Sequence, residues 1–184
     1  MTQPARYTKT AIVLHWLVAF LIFGAFPIGL IMSDMSLSPL KLKLFSYHKW
    51  LGVTVFILAV ARLAWRATHV PPLLPGTMPV WQQRAAQGVH HVLYLLLFLI
   101  PLSGWLMSSA KGVQTVYFGV LPLPDLVGKD KALGHLLQVV HETLNYGMLA
   151  LVIVHIAAAL KHQYVDRNGV LARMVPFIEK ETSK

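Results

Sequence analysis

Four stretches of the chain are apolar almost without interruption: Ala11 to Met32, about Phe45 to Trp65, Val89 to Ser109, and about Leu136 to Leu160. Each is long enough to cross a hydrocarbon core that takes about 20 helical residues, so four transmembrane helices are predicted. The first run is too long for a signal-peptide core and lacks a small-residue cleavage site behind it, so it is expected to stay as an anchor. Between the second and third runs, Pro71, Pro72, Pro75, Gly76 and Pro79 forbid helix and predict a short extended connector over residues 67–81. The connector from Lys111 to Lys131, with Pro122 and Pro124, is the longest and is expected outside, with an interfacial segment around Val116 to Leu121. No internal repeat or low-complexity segment is evident. The fold class predicted is an all-α membrane protein, one four-helix transmembrane bundle over residues 1–184.

Composition agrees with the pattern. Of the 184 residues, 56% are hydrophobic and 12% charged, with a mean hydropathy of +0.60, whereas a soluble domain carries about 25% charged residues. The chain has no cysteine, which excludes disulfides, thiolate-held iron–sulfur clusters, c-type haem attachment and cysteine nucleophiles. A net charge of +9 would raise nucleic acid as a partner, but the basic residues are scattered between apolar runs in the way that sets orientation in lipid. No nucleic-acid partner is expected.

Orientation follows from the basic residues. One side collects Arg6, Lys9, Arg62, Arg66, Arg84, Lys161, Arg167, Arg173, Lys180 and Lys184, ten in all and every arginine among them. The other holds six: Lys41, Lys43, Lys49, Lys111, Lys129 and Lys131. The richer side is expected in the cytoplasm, and with it both termini.

Nine histidines are many for so apolar a chain, and an ionisable side chain within a span is a functional candidate. His141 and His155 lie fourteen residues apart on the fourth span, which brings them within about 40° of one face and about 21 Å apart along the axis. His15 follows Lys9 by six residues and His155 precedes Lys161 by six, so the two match in depth at the cytoplasmic side. His48 and His141 match at the other side. Two imidazoles converging from facing helices can hold iron in a planar porphyrin, one axial nitrogen each. The reading is two bis-histidine b-type haems, His15 with His155 and His48 with His141. Two alternatives stand beside it. Zinc prefers compact sets of three or four ligands, and buried histidines can be satisfied by hydroxyls or backbone.

His90, His91, His69 and His135 lack equally good depth partners and are expected at the interface or beside the ligands. Arg62, fourteen residues after His48, falls on nearly the same face of the second span at the depth of the cytoplasmic haem. A haem propionate there would need such a cation, although a positive-inside anchor shared with Arg66 explains it equally well. Lys49, and with it Lys43, is the corresponding candidate at the opposite face.

Several segments carry a resemblance: Leu14-His15-Trp16-Leu17 after a basic start, His48-Lys49-Trp50-Leu51-Gly52 opening the second span, and Arg62-Leu63-Ala64-Trp65-Arg66 closing it. The fourth span adds His141-Glu142 and the run His155-Ile156-Ala157-Ala158-Ala159-Leu160-Lys161-His162. In order and spacing, over essentially the whole length, the chain resembles the bacterial cytochrome b561 family of small di-haem membrane cytochromes. The resemblance implies four axial ligands at His15, His48, His141 and His155. It also implies residence in the bacterial inner membrane, and one-electron chemistry in which superoxide is oxidised on the periplasmic side and ubiquinone reduced. On that reading Lys41, Lys43, Lys49, Lys129 and Lys131 form an attracting field for an anionic donor, while Arg62, Arg66 and His162 are candidates for a quinone site. The alternative is a membrane anchor that relays electrons between a dehydrogenase or hydrogenase and quinone, with a redox protein as the donor.

Overall fold

The computed structural model describes residues 6–175 and 177; Lys180 and Lys184 lie outside the described residues. Four helices account for most of the chain: α1 (Lys9–Asp34), α2 (Pro39–Thr68), α3 (Val80–Ala110) and α4 (Lys131–Tyr164). Each contains one of the apolar runs and extends past it at both ends. Their 26 to 34 residues correspond to about 39 to 51 Å at the α-helical rise, against about 30 Å of hydrocarbon. All four are long and apolar enough to cross a membrane, and the surplus turns lie where backbone and charge can meet water.

Local chemistry fixes the helix starts. Thr8 accepts the Ala11 N–H at 3.2 Å, Ser38 accepts the Lys41 N–H at 3.2 Å with Pro39 in the first turn, and Asp130 accepts from Ala132 and Leu133 at 2.8 and 3.0 Å. These side chains satisfy amide groups that have no partner within the helix. The proline-rich connector separates α2 from α3 as expected, and α3 begins at the residue after Pro79.

Close backbone packing joins α1 to α2, α2 to α3 and α3 to α4. A core of Val18, Val55, Ala59, Leu96, Leu97 and Met148 lies at mid-depth. Large apolar side chains such as Phe20 and Phe23 are exposed along the outside, as lipid-facing positions must be. The bundle has a terminus end, which carries Lys9 and Tyr164, and a loop end, which carries the connector 111–130.

That connector is ordered by α2 and α3. The expected interfacial segment is a small antiparallel hairpin, β1 (Val116–Tyr117) with β2 (Leu121–Pro122), turning through Phe118 and Gly119 at φ +50° and +73°. Trp50 Nε1 donates to Val116 O at 2.8 Å, Thr54 Oγ1 meets Tyr117 Oη at 2.9 Å, and Trp105 Nε1 donates to Pro124 O at 3.0 Å. At the terminus end a 3₁₀ turn at Leu171–Arg173 folds back beneath the bundle. Trp16 Nε1 donates to Met174 O at 3.0 Å, and the Arg173 guanidinium donates to Leu73 O.

Candidate functional site

Steps of seven residues organise the interior of every helix. On α4 they run His141, Met148, His155, and on α2 His48, Val55, Arg62. On α1 they run His15, Ile22, Gly29, and on α3 His90, Leu97, Gly104. Seven residues fall about 20° short of two full turns, so each trio shares a face. Because successive helices reverse direction, the trios stack in three levels. Val55, Leu97 and Met148, with Ile22 packed against them, form the middle level within the core. Above and below it lie two levels of imidazoles.

At the loop end, His48 on α2 faces His141 on α4 with ring centroids 6.2 Å apart and planes at 84°. Both rings are held from behind. His48 Nδ1 lies 3.0 Å from Ala25 O on α1; His141 Nδ1 lies 3.0 Å from Ile100 O and from Ser103 Oγ on α3. A ring nitrogen beside a carbonyl oxygen must donate, so Nδ1 carries the proton and Nε2 keeps its lone pair. Glycines make this approach possible. A Cβ at Gly29 would sit 3.1 Å from His48 Cε1, and one at Gly104 would sit 3.0 Å from His141 Cε1. Each glycine lies one turn beyond the carbonyl that its histidine reaches.

At the terminus end, His15 on α1 and His155 on α4 have ring centroids 6.3 Å apart. His15 Nδ1 is buried with no hydrogen-bond partner among the described residues. Beside them opens a cavity of about 670 Å³, lined by His15, Arg62, Arg66, Tyr94, His155 and His162 among others, within the range of about 300–1,000 Å³ that cofactor sites occupy. His162 is buried, with Nδ1 2.7 Å from Asp166 Oδ2. The Arg62 and Arg66 guanidiniums stack on one ring, 5.1 and 5.5 Å from the Tyr94 centroid.

The residues present fit a metal held between paired imidazoles. A metal–nitrogen bond of about 2.0 Å on each side, plus about 1.1 Å from each nitrogen to its ring centre, gives a centroid separation of about 6.2 Å. Both pairs have that separation, and at the loop end both lone pairs are freed by hydrogen bonds behind the rings. Among the described residues, no group of three or more His, Asp or Glu side chains gathers closely enough to hold a metal ion, which weighs against zinc.

Most of the remaining sequence candidates have other occupations. His90, which depth-matching left without a partner and placed at the interface or beside the ligands, meets His155 at 5.2 Å between centroids. His69 stacks on Trp65 at 3.8 Å, and His91 and His135 are exposed. Lys49 Nζ donates to Val113 O at 3.0 Å and so ties down the loop-end connector. Gly29, Gly104, Ser103 and Tyr94 were not singled out from sequence. The signal for the glycines was their seven-residue register with histidines and core residues.

Comparison with known proteins follows the same lines. Residues 6–177 match the family described as prokaryotic cytochrome b561. The chain is similar to cytochrome b561 homolog 2 of Escherichia coli K12, 33% identical over 174 residues, 94% of this chain and 92% of that protein. It is similar to cytochrome b561 homolog 1 of the same organism at 29% over 93% of this chain and 97% of that one. A probable superoxide oxidase of Yersinia pestis is 27% identical over 93% and 96% of the two chains.

Proposed function

The chain belongs to the prokaryotic cytochrome b561 family, a multi-pass bacterial membrane cytochrome with b-type haem, and from that premise we propose that it holds two haems and moves single electrons between its two ends. His48 with His141 would ligate one haem at the loop end, and His15 with His155 the other at the terminus end. The observation that carries this reading is the pair of centroid separations, 6.2 and 6.3 Å, matched to bis-imidazole ligation at two depths. Held by these histidines, haem would supply reversible one-electron transfer.

The protein's own groups set the direction. The ten-to-six bias of basic residues favours a cytoplasmic terminus end. In that orientation Lys43, Lys129 and Lys131 at the periplasmic loop end raise the local positive potential where superoxide would arrive, an effect that weakens with salt. At the cytoplasmic end His162, buried in the cavity wall and bonded to Asp166, is placed to hold a proton for a bound ubiquinone, with Arg62 and Arg66 in the same wall. Two superoxide anions become two dioxygen molecules, and ubiquinone takes the two electrons with two protons. The name of the Yersinia relative, a probable superoxide oxidase, supports this donor.

Ligation is tested by a reduced-minus-oxidised spectrum with pyridine haemochrome quantification on the wild type and four single His→Ala variants. Two haems per chain are expected, with His15→Ala and His155→Ala losing one and His48→Ala and His141→Ala the other. Loss of the same centre in His15→Ala and His48→Ala would overturn the pairing. Stopped-flow mixing with superoxide tests the donor, because a relay specialised for a protein donor would be reduced slowly.

A further inference from the structure

Arg62 lies within the span. It follows the core residue Val55 by seven positions and shares the cavity of His15 and His155. Arg66, one turn on, lines the same wall, and so does Arg173. Like charges one helical turn apart repel, yet both guanidiniums of α2 converge on the single Tyr94 ring, at 5.1 and 5.5 Å. The salt bridges among the described residues are Lys161 with Asp166 and His162 with Asp166, so no carboxylate among the described residues answers these arginines. Tyr7 adds a phenol to the wall, and burial, opposed first by the Arg66 charge, raises it above its ordinary value and keeps it a neutral donor. Arg62 is half-buried within the span, where a charge without a described counter-ion is costly, and Arg66, exposed one turn nearer the helix end, presents a second guanidinium to the same cavity.

We propose that Arg62 and Arg66, stacked on Tyr94, form a two-guanidinium seat for the carboxylates of the haem between His15 and His155, with Tyr94 as the positioning residue that holds both cations against their mutual repulsion. This rests on the ligation reading above. Guanidinium matches carboxylate in a two-point hydrogen-bonded geometry, and haem b brings two carboxylates to two arginines. The seat deepens the sequence reading of Arg62 and assigns Arg66 to the cofactor, leaving His162 as the polar group on the quinone side.

The test is a redox titration of the purified holoprotein, in which the haem of His48 and His141 serves as internal reference. The Arg62→Gln/Arg66→Gln variant is expected to lower the potential of the His15/His155 haem alone, because carboxylates left unneutralised favour the ferric state. A tenfold fall in its reduced-to-oxidised ratio, about 59 mV for a one-electron couple, is the expected size. Tyr94→Leu should move the same haem in the same direction and Tyr94→Phe, which keeps the ring face, should restore it. Loss of that haem alone from the double variant would support the seat equally; if both haems were lost, the Tyr94 pair decides. No shift, equal shifts in both haems, or a shift appearing only in vesicles with anionic phospholipid would overturn the proposal, the last by making a headgroup the anion. Wild type lacking a haem at His15 and His155 would instead overturn the ligation.

Discussion

Gly29 and Gly104 show what one missing methyl group can do. Glycine within a helix costs about 1 kcal/mol relative to alanine, so two of them in long apolar helices call for a compensating gain. The gain is the seat of an imidazole against helix backbone, with His48 and His141 each reaching a carbonyl at 3.0 Å. Placing a Cβ at 3.0 to 3.1 Å from ring carbon pushes the ring away and stretches that hydrogen bond. Gly104→Ala and Gly29→Ala are therefore expected to raise helix propensity while loosening or losing the loop-end haem, with the other haem unaffected. Haem stoichiometry and circular dichroism read the two effects separately. Full occupancy and an unaltered spectrum in both variants would show that the rings do not depend on the glycines.

At the scale of the element, the end of α4 depends on a single carboxylate. Asp166 accepts from Lys161 Nζ at 2.8 and 2.6 Å and from His162 Nδ1 at 2.7 Å, beside the backbone bonds from Asn168 N and Asp166 N that close the helix. The hydrogen bonds from Lys161, and after them from His162, hold this carboxyl below its ordinary value of 3.8. A depressed acid contributes its stability in full above its ordinary value and loses it as pH falls through the lower, folded value. Protection of the amides over residues 165–168, measured against their intrinsic exchange rates at each pH, should hold at neutral pH and fall only in strong acid, whereas Asp166→Asn should be less protected at neutral pH already. Equal exchange in the two proteins would remove the carboxylate from this role. The same helix shows how far the sequence could be read. The fourteen-residue interval between His141 and His155, and that between His48 and Arg62, exposed the interior faces of α4 and α2, because histidine and arginine stand out in lipid-spanning runs. On α1 and α3 that register passes through Ile22, Leu97 and two glycines, which look like any other apolar positions. Tyr94 was invisible for a different reason: its part depends on two cations brought from another helix, a relation that only packing creates.

Across the whole molecule, the two histidine pairs are alike in spacing and unlike in surroundings. At the loop end both Nδ1 atoms are engaged by carbonyl oxygens, and such bonds make an imidazole a stronger donor to its metal, which favours ferric iron. At the terminus end His15 Nδ1 has no partner among the described residues, and Arg62 and Arg66 stand in the cavity wall, where positive charge disfavours the ferric state. At the loop end Lys49 is held toward the connector by the carbonyls of Val113 and Gln114, and Lys43, Lys129 and Lys131 are exposed, where water and salt screen their charge from the interior. Ligand basicity and local charge thus act in the same sense, and the loop-end haem is expected to have the lower potential by about 59 mV or more, a factor of ten in its reduced fraction relative to its partner. Electrons entering at the loop end would then run downhill past the Val55, Leu97 and Met148 level to the end where quinone is proposed to bind. A redox titration of wild type should resolve two waves, the lower missing in His141→Ala and the higher missing in His155→Ala. The reverse assignment would mean that the field of the arginines is cancelled before it reaches the iron, and that transfer toward the terminus end has to be driven by the donor rather than by the protein.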